Sequence, residues 1–153
     1  MVSTKKNLVV VGCGKLGAPL VACLANAGHK VVGIDVSKEL IENLDVGVVT
    51  WNEPGLAELI TRNKKNISFQ ENYDGAFKNT EATFIIVPTP SVASGEFSNR
   101  FVLDAVSKVG KELANTLQTN HLVVIVSTVM PGSTQGEIKK TLYDAAGSVA
   151  KNV

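Results

Sequence analysis

Short apolar runs alternate along this chain with longer stretches in which apolar residues have helical spacing. Such runs predict β-strands, and continuous β-branched runs are typical of parallel strands that are covered on both faces. The first run and the last two runs are of this continuous kind. The predicted strands cover residues 8–11, 30–35, 67–69, 82–87 and 121–126.

Apolar residues recur every three or four positions between these runs, which predicts amphipathic helices. The Thr134 and Glu137 pair has the spacing of a capping box at the start of the last helix. The predicted apolar faces consist of Leu16, Leu20, Leu24 and Ala27 in the first helix, Val102, Val106, Val109, Leu113 and Leu117 in a later helix, and Ile138, Leu142, Ala145 and Val149 in the last.

This alternation predicts an α/β fold of the Rossmann type, a doubly wound parallel sheet with strand order 3-2-1-4-5 and right-handed crossovers. The ligand cleft is then expected at the carboxyl ends of the strands, near the first and fourth strands. A sixth strand would complete the usual pattern, and we expect it to be missing or incomplete in residues 1–153. The whole chain is therefore interpreted as one dinucleotide-binding domain.

A glycine-rich turn follows the first predicted strand. Gly12, Gly14 and Gly17 have the spacing G-x-G-x-x-G, which is a weak signal alone and is strengthened by the next strand and its terminal acid. Gly12 permits the tight turn, Gly14 lets a pyrophosphate approach the backbone, and Gly17 lets the helix pack on the strand. The N–H groups of the first helical turn and the helix dipole would bind the anion.

Asp35 ends the second predicted strand, about 20 residues after the glycine turn, where a ribose-binding acid is expected. Its carboxylate would accept hydrogen bonds from the adenosine ribose and repel a 2′-phosphate, which favours NAD over NADP. The alternative is that the glycines only form a tight turn and that Asp35 only begins the next one.

Composition and charge exclude several other classes. The formal net charge of +1 gives no electrostatic reason to expect nucleic acid or a membrane as partner. The longest apolar runs, about six residues, are too short to span a bilayer, and we expect a cytoplasmic location. Cys13 and Cys23 are expected to be small buried side chains, and the sequence predicts no metal site.

Two further turns are predicted at the carboxyl edge of the sheet. The V-P-T-P segment at 87–90 closes the fourth strand, and its two prolines fix the backbone beside the cleft. The S-T-V-M-P-G segment at 127–132 closes the fifth strand, and its hydroxyls are candidates for contacts with cofactor or water. The alternatives are an ordinary loop exit for the first turn and local capping for the second.

With these motifs the chain resembles the NAD-binding N-terminal domain of the UDP-glucose/GDP-mannose dehydrogenase family. The glycine turn alone fits many dehydrogenases, whereas its combination with V-P-T-P and S-T-V-x-P-G is more specific. The matching segments are residues 12–20, 28–35, 53–56, 87–90, 127–129 and 131–132.

The resemblance implies a nucleotide-sugar 6-dehydrogenase similar to UDP-glucose 6-dehydrogenase. Such an enzyme oxidises the sugar 6-hydroxyl to a carboxylate and reduces two NAD, and it serves nucleotide-sugar metabolism and polysaccharide biosynthesis. The resemblance also implies a longer, multidomain, homo-oligomeric enzyme whose later domains supply a catalytic cysteine, lysine and asparagine and bind the nucleotide sugar. We therefore expect this chain alone to be inactive.

The resemblance assigns NAD contacts to the glycine turn, the ribose acid and the two later turns. Thr128 matches a threonine that helps to position a water in the active site, and it is the one predicted catalytic residue. The residues predicted to bind NAD are Gly12, Gly14, Lys15, Leu16, Gly17, Asp35, Lys38, Val87, Pro88, Thr89, Pro90, Ser127 and Thr128.

Some positions depart from the family pattern. Lys15 stands where the family often has an aromatic residue, and it is a candidate for contacting phosphate. Lys38 is a candidate for the adenosine side, and Ser98 or Asn99 is expected to cap the helix after the fourth strand.

Two other functions stay open from the sequence. One is a dehydrogenase of the 6-phosphogluconate or hydroxyacid group that acts on a different hydroxy substrate. The other is a standalone dinucleotide-binding or regulatory module without catalysis.

Overall fold

Five parallel strands form one sheet in the computed structural model, which describes residues 5–91, 95, 97–116 and 120–153, without the side chains of residues 151 and 152. The strand order is 3-2-1-4-5, so the predicted fold class is confirmed. The strands are β1 (Asn7–Val11), β2 (Lys30–Ile34), β3 (Ile67–Gln70), β4 (Ala82–Ile85) and β5 (Leu122–Ile125).

Helices cover the sheet on both faces. Helix α2 begins after Ser37, whose Oγ accepts a hydrogen bond from the Leu40 N–H at 3.3 Å. Short 3₁₀ segments at Lys64–Asn66 and Gly147–Asn152 and a π-helical turn at Thr134–Ile138 complete the elements. The α-helices are α1 (Gly17–Asn26), α2 (Lys38–Asp45), α3 (Leu56–Arg62), α4 (Arg100–Thr116) and α5 (Lys139–Ala146).

Two apolar clusters hold the layers together. The first joins the sheet to α4 and α5, and Val102, Val106, Val109 and Leu113 of α4 are all fully buried in it, as predicted. The second joins the other face to α1, α2 and α3. Leu117 was predicted to continue the α4 face but lies outside the described residues.

The predicted apolar face of α1 is wrong. Leu16 is 59% exposed and Ala27 is exposed, whereas the buried face consists of small residues. Small side chains occupy the buried face because the helix lies close against the sheet at the glycine turn. Leu20 and Leu24 are only partly buried and pack at the edge of the second cluster. The buried residues of α1 are Gly17, Ala18, Val21, Ala22 and Ala25.

Strand β5 is not covered on both faces, contrary to expectation. It forms one edge of the described sheet, and Leu122 is 60% exposed. Val123 and Ile125 face the first cluster, while Leu122 and Val126 of the opposite face are exposed. A continuous β-branched run therefore did not distinguish an edge strand from a central one.

The predicted capping box before α5 does not form. The turn Thr134–Ile138 follows Ser133 without a side-chain capping bond, and its Gly136 leaves the helical region. Glu137 Oε1 instead accepts a hydrogen bond from Asn99 Nδ2 at 2.5 Å, and Ser133 Oγ lies 3.0 Å from the same nitrogen. The Asn99 amide therefore joins two loops, and its Oδ1 is buried without a partner, so it does not cap α4.

Candidate cofactor site

A cavity of about 490 Å³ opens at the carboxyl ends of β1, β2 and β4. This is the switch point of the 3-2-1-4-5 order, where doubly wound sheets bind ligands. Its walls are mainly apolar and contain the glycine turn. The lining residues are Val11, Gly12, Gly14, Lys15, Leu16, Gly17, Ile34, Asp35, Val36, Tyr73, Ile86, Val87, Pro88, Phe101, Asp104 and Ala105.

The three glycines of the turn serve different purposes. A Cβ on Gly12 would lie 1.9 Å from the Ile86 carbonyl oxygen, and the residue has a φ of +93°, which disfavours any side chain. A Cβ on Gly17 would lie 1.7 Å from the Gly12 oxygen. A Cβ on Gly14 would meet no atom within 4 Å, so the missing side chain there leaves open space in the cavity.

Asp35 lies half-buried in the cavity wall and holds the turn in place. Its Oδ2 accepts a hydrogen bond from the Cys13 N–H at 2.8 Å, and its Oδ1 accepts one from the Ser37 N–H at 2.9 Å. The carboxylate thus connects the glycine turn to the start of α2. The sequence predicted a ligand role for this residue, with the start of the next turn as the alternative, and it did not predict the bond to the glycine turn.

The two cysteines differ, and the expectation that both are buried is wrong for one of them. Cys13 is fully buried with its Sγ 3.6 Å from the Ile34 oxygen. Burial, and then the Asp35 carboxylate, raise the pKa of the Cys13 thiol well above its ordinary value. Cys23 is exposed because it lies on α1 opposite the small buried residues.

The first of the two later turns reaches the cavity in part, and the second does not line it. Val87 and Pro88 line it, whereas Thr89 and Pro90 do not. Ser127 also lies outside the lining, but its Oγ accepts a hydrogen bond from the Val87 N–H at 2.9 Å and donates one to the Val87 oxygen at 2.8 Å. Ser127 therefore fixes the cavity wall from behind.

Thr128 is exposed and does not line the cavity, so its predicted catalytic role stays a prediction. Lys15 and Leu16 line the cavity as expected. Lys38 is not brought to it: this exposed side chain pairs with Glu42, 3.8 Å away on the next turn of α2.

Among the lining residues that the sequence did not predict, Tyr73, Phe101 and Asp104 bring aromatic or charged groups. Tyr73 stacks on Phe77 with ring centroids 6.1 Å apart, and the Arg100 guanidinium lies 4.4 Å from the Phe101 ring centre. Burial, and then the carboxylates of Asp104 and Asp35, raise the pKa of the Tyr73 hydroxyl.

A signal for two of these residues was present. The helix after the fourth strand must begin beside the switch point, so the residues of its first turns that share a face were candidates. Phe101, Asp104 and Ala105 share such a face at i, i+3 and i+4. Tyr73 had no comparable signal, because it lies in an irregular connection.

The cavity fits a dinucleotide. The open space over Gly14 admits a pyrophosphate, the start of α1 supplies N–H groups, and Asp35 stands at the end of β2. The family model for the UDP-glucose/GDP-mannose dehydrogenase NAD binding domain matches residues 6–152. The chain belongs to this family. It is the family's NAD-binding domain.

Curated relatives agree with this membership. UDP-glucose 6-dehydrogenase AglM of Haloferax volcanii is 35% identical over 142 residues, which are 92% of this chain and 33% of the relative. GDP-mannose 6-dehydrogenase of Azotobacter vinelandii is 31% identical and is matched over 94% of this chain and 33% of its own length. The chain spans about a third of these relatives.

Solved structures show the same fold. A UDP-glucose dehydrogenase from Pyrobaculum islandicum superimposes with a TM-score of 0.90 at 37% identity, covering 97% of this chain and 34% of that one. A ternary complex of GDP-mannose dehydrogenase from Pseudomonas aeruginosa gives a TM-score of 0.87 at 28% identity, with 93% and 33% covered. The relatives act on several nucleotide sugars, so membership does not select one.

Two negative findings concern the described residues alone. Within them, no helix is both long and apolar enough to cross a membrane. The same part of the chain contains no group of three or more histidine, cysteine, aspartate or glutamate side chains suited to a metal ion.

Proposed function

We propose that this chain is the N-terminal, NAD-binding part of a longer nucleotide-sugar 6-dehydrogenase, and that the cavity at the glycine turn holds the cofactor. The observation that carries the proposal is the joint geometry of Gly14 and Asp35. Open space lies over Gly14, and the carboxylate that fixes the turn also faces the cavity.

Each part of the cavity has a proposed contact with NAD. The backbone near Gly14 and the start of α1 hold the pyrophosphate, and Lys15 adds a positive charge there. Asp35 accepts hydrogen bonds from the adenosine ribose. Leu16, Val87 and Pro88 supply apolar walls that exclude water.

The bound nicotinamide would accept hydride from the substrate carbon. The residues of this chain near that end are those that close β4 and β5. Ser127 keeps the Val87 backbone in position through two hydrogen bonds, and we propose that exposed Thr128 orients a water once substrate is present. Thr89 and Pro90 complete the proposed rim, whereas Lys38 would have to leave Glu42 to reach the adenosine.

The substrate proposal is UDP-glucose or a similar nucleotide sugar, in line with the relatives. Because the chain spans about a third of their length, we expect it to bind NAD without oxidising UDP-glucose on its own. NADH formation, followed by absorbance, would measure this directly. Sustained NADH formation by this chain alone would contradict the proposal that it binds NAD without oxidising UDP-glucose.

Calorimetric titration of NAD and NADP into the chain tests the cofactor assignment. We expect NAD to bind more tightly than NADP, because a carboxylate at Asp35 repels the 2′-phosphate. Asp35→Asn should weaken NAD binding about tenfold or more, since hydrogen bonds to a charged acceptor are lost, and should narrow the preference for NAD.

Glu39→Gln is the matched control. Glu39 is an exposed acid in the first turn of α2, close in sequence to Asp35 but outside the cavity lining. Glu39→Gln removes the same charge as Asp35→Asn, so the preference for NAD over NADP should persist. Equal affinities for NAD and NADP in the unaltered chain would overturn the role of Asp35.

A further inference from the structure

A second cavity, of about 340 Å³, lies at the opposite end of the sheet from the cofactor site. It is bounded by the amino ends of β1, β2 and β3 and by the connection that leads from β3 to β4. That connection, residues 71–81, forms turns and contains no helix. Ala76 and Phe77 of this connection are buried in the first cluster, whereas Ser68 of β3 is exposed beside the cavity.

The charge of this cavity is unbalanced. Lys30, Lys65 and Lys78 line it, and no aspartate or glutamate occurs among its described lining residues. None of the three lysines forms an ion pair within the described part of the chain, where the pairs use other lysines. Since the formal net charge of the whole chain is +1, the rest of the chain is net negative.

The wall that carries Lys78 is fixed by hydrogen bonds. Asn7 Nδ2 donates to the Asn79 oxygen at 2.9 Å, and the Thr80 Oγ donates to the Phe77 oxygen at 2.9 Å. On the other side, His121 Nδ1 donates to the Thr80 oxygen at 3.1 Å. The turn that carries Lys78 is thus anchored to the starts of β1 and β5.

We propose that this lysine cavity (Lys30, Lys65 and Lys78 with their polar neighbours) binds a small anion that carries a diphosphate group. Three exposed lysines without a carboxylate among the described lining residues favour a ligand with several negative charges, and lysine is a common phosphate ligand. Asn66, Ser68 and Asn79 line the same space and supply hydrogen-bonding groups.

The size and position of the cavity support this assignment. About 340 Å³ is within the range of small-ligand sites. The cavity contains none of the residues that line the cofactor cavity, so both sites can be occupied together. The proposal therefore stands independently of NAD binding at the glycine turn.

Amide chemical-shift mapping of the ¹⁵N-labelled chain with inorganic pyrophosphate tests the proposal, with and without saturating NAD. We expect the amides of Ser68, Gly75 and Asn79 to shift in both cases. Pyrophosphate also resembles part of NAD, so shifts at Gly14 are expected only without the cofactor. Shifts confined to the glycine turn would overturn the lysine cavity as a site.

A charge-matched pair of variants separates a site from general attraction. The triple change Lys30→Gln, Lys65→Gln and Lys78→Gln should weaken pyrophosphate binding in the presence of NAD about tenfold. The control triple removes the same charge from exposed positions on α4 and α5, and it should have a much smaller effect. The control changes are Lys111→Gln, Lys139→Gln and Lys140→Gln.

Both triple variants should have an unchanged circular dichroism spectrum and an unchanged NAD affinity. These two measurements test whether the fold is intact. Equal loss of pyrophosphate binding in the two triples would overturn the proposal, because the attraction would then depend on net charge alone. An ADP titration in the presence of NAD distinguishes the source of the diphosphate. Shifts at Ser68 and Asn79 with ADP indicate a nucleotide, and shifts with pyrophosphate alone indicate the free anion.

Discussion

The cavities at the two ends of this sheet are formed in opposite ways. At the carboxyl end the chain omits side chains, so that the backbone at Gly14 faces open space, and a single carboxylate, Asp35, ties the turn together. At the amino end the chain supplies side chains, because lysines line the cavity and the buried His121 ring holds the adjoining turn.

This difference predicts different tolerance to substitution. Where recognition depends on absent side chains, adding a single methyl group either breaks the fold or fills the ligand's space. Where it depends on lysines at the rim, substitution changes charge and leaves packing intact. Substitutions at the carboxyl end should therefore have the larger effects on stability.

Gly12→Ala is expected to have the largest effect. The new methyl group would lie 1.9 Å from the Ile86 oxygen, and the residue would keep an unfavourable φ of +93°. Strain and overpacking together should cost about 2–5 kcal/mol of unfolding free energy. Urea denaturation of the variant and the unaltered chain measures this difference.

Gly14→Ala is the control for that prediction. A methyl group at this position would have no atom within 4 Å, so the unfolding free energy should change by less than about 1 kcal/mol. The methyl group should instead occupy the space proposed for pyrophosphate and weaken NAD binding about tenfold. If both variants were equally destabilised, the distinction between the two glycines would be wrong.

The sequence was sufficient to predict the sheet and the glycine turn. The strand order follows from the alternation of strands and helices together with the rule of right-handed crossovers, and the turn geometry follows from the glycine spacing. The family resemblance also followed from short motifs, each confined to a few consecutive residues.

Features that depend on packing between distant segments were not predictable in the same way. The apolar face of α1 was wrong because closeness to the sheet selected small residues over leucines. The predicted capping box did not form, because Glu137 instead accepts a hydrogen bond from Asn99, which lies in a distant segment of the chain. Tyr73 reaches the cavity from an irregular connection whose path no periodicity reveals.

His121 makes the amino end sensitive to pH. Its Nδ1 faces the Thr80 carbonyl, so this nitrogen carries the proton, and Nε2 accepts from the Thr83 hydroxyl at 2.8 Å. Burial lowers the pKa of the ring from its ordinary value of 6.5, although the bond to Thr80 opposes the shift. The neutral form is therefore favoured in the folded chain.

Protonation then favours unfolding. The stabilisation from neutral His121 is fully present above pH 6.5 and is lost as the pH falls toward the lower folded pKa. Between the folded pKa and pH 6.5, protonation of His121 should lower the unfolding free energy by about 1.4 kcal/mol for each unit that the pH falls. Urea denaturation at a series of pH values measures the slope.

His121→Gln should reduce that slope, and His29→Gln should retain it. His29 is a suitable control because its ring lies nearer the surface, where Nδ1 accepts a hydrogen bond from the Lys6 N–H at 3.1 Å. The same acid slope in both variants would show that the amino end does not depend on a neutral His121.

Thiol labelling is expected to have the smallest effect on function, and it reports how tightly the glycine turn is closed. Cys13 lies inside the turn at 0% exposure, and burial together with Asp35 raises its thiol pKa, so the reactive thiolate is scarce. Cys23 is exposed on α1. A charged thiol reagent should therefore label one cysteine in the folded chain and the second only after denaturant is added.

Single variants show which cysteine reacts in the folded chain. Cys23→Ser should abolish labelling of the folded chain and leave NAD affinity unchanged, because Cys23 lies outside the cavity lining. Cys13→Ser should leave labelling of the folded chain intact. If Cys13 also reacted in the folded chain, the turn would have to open and release its hydrogen bond to Asp35, which would contradict a closed glycine turn at the carboxyl end.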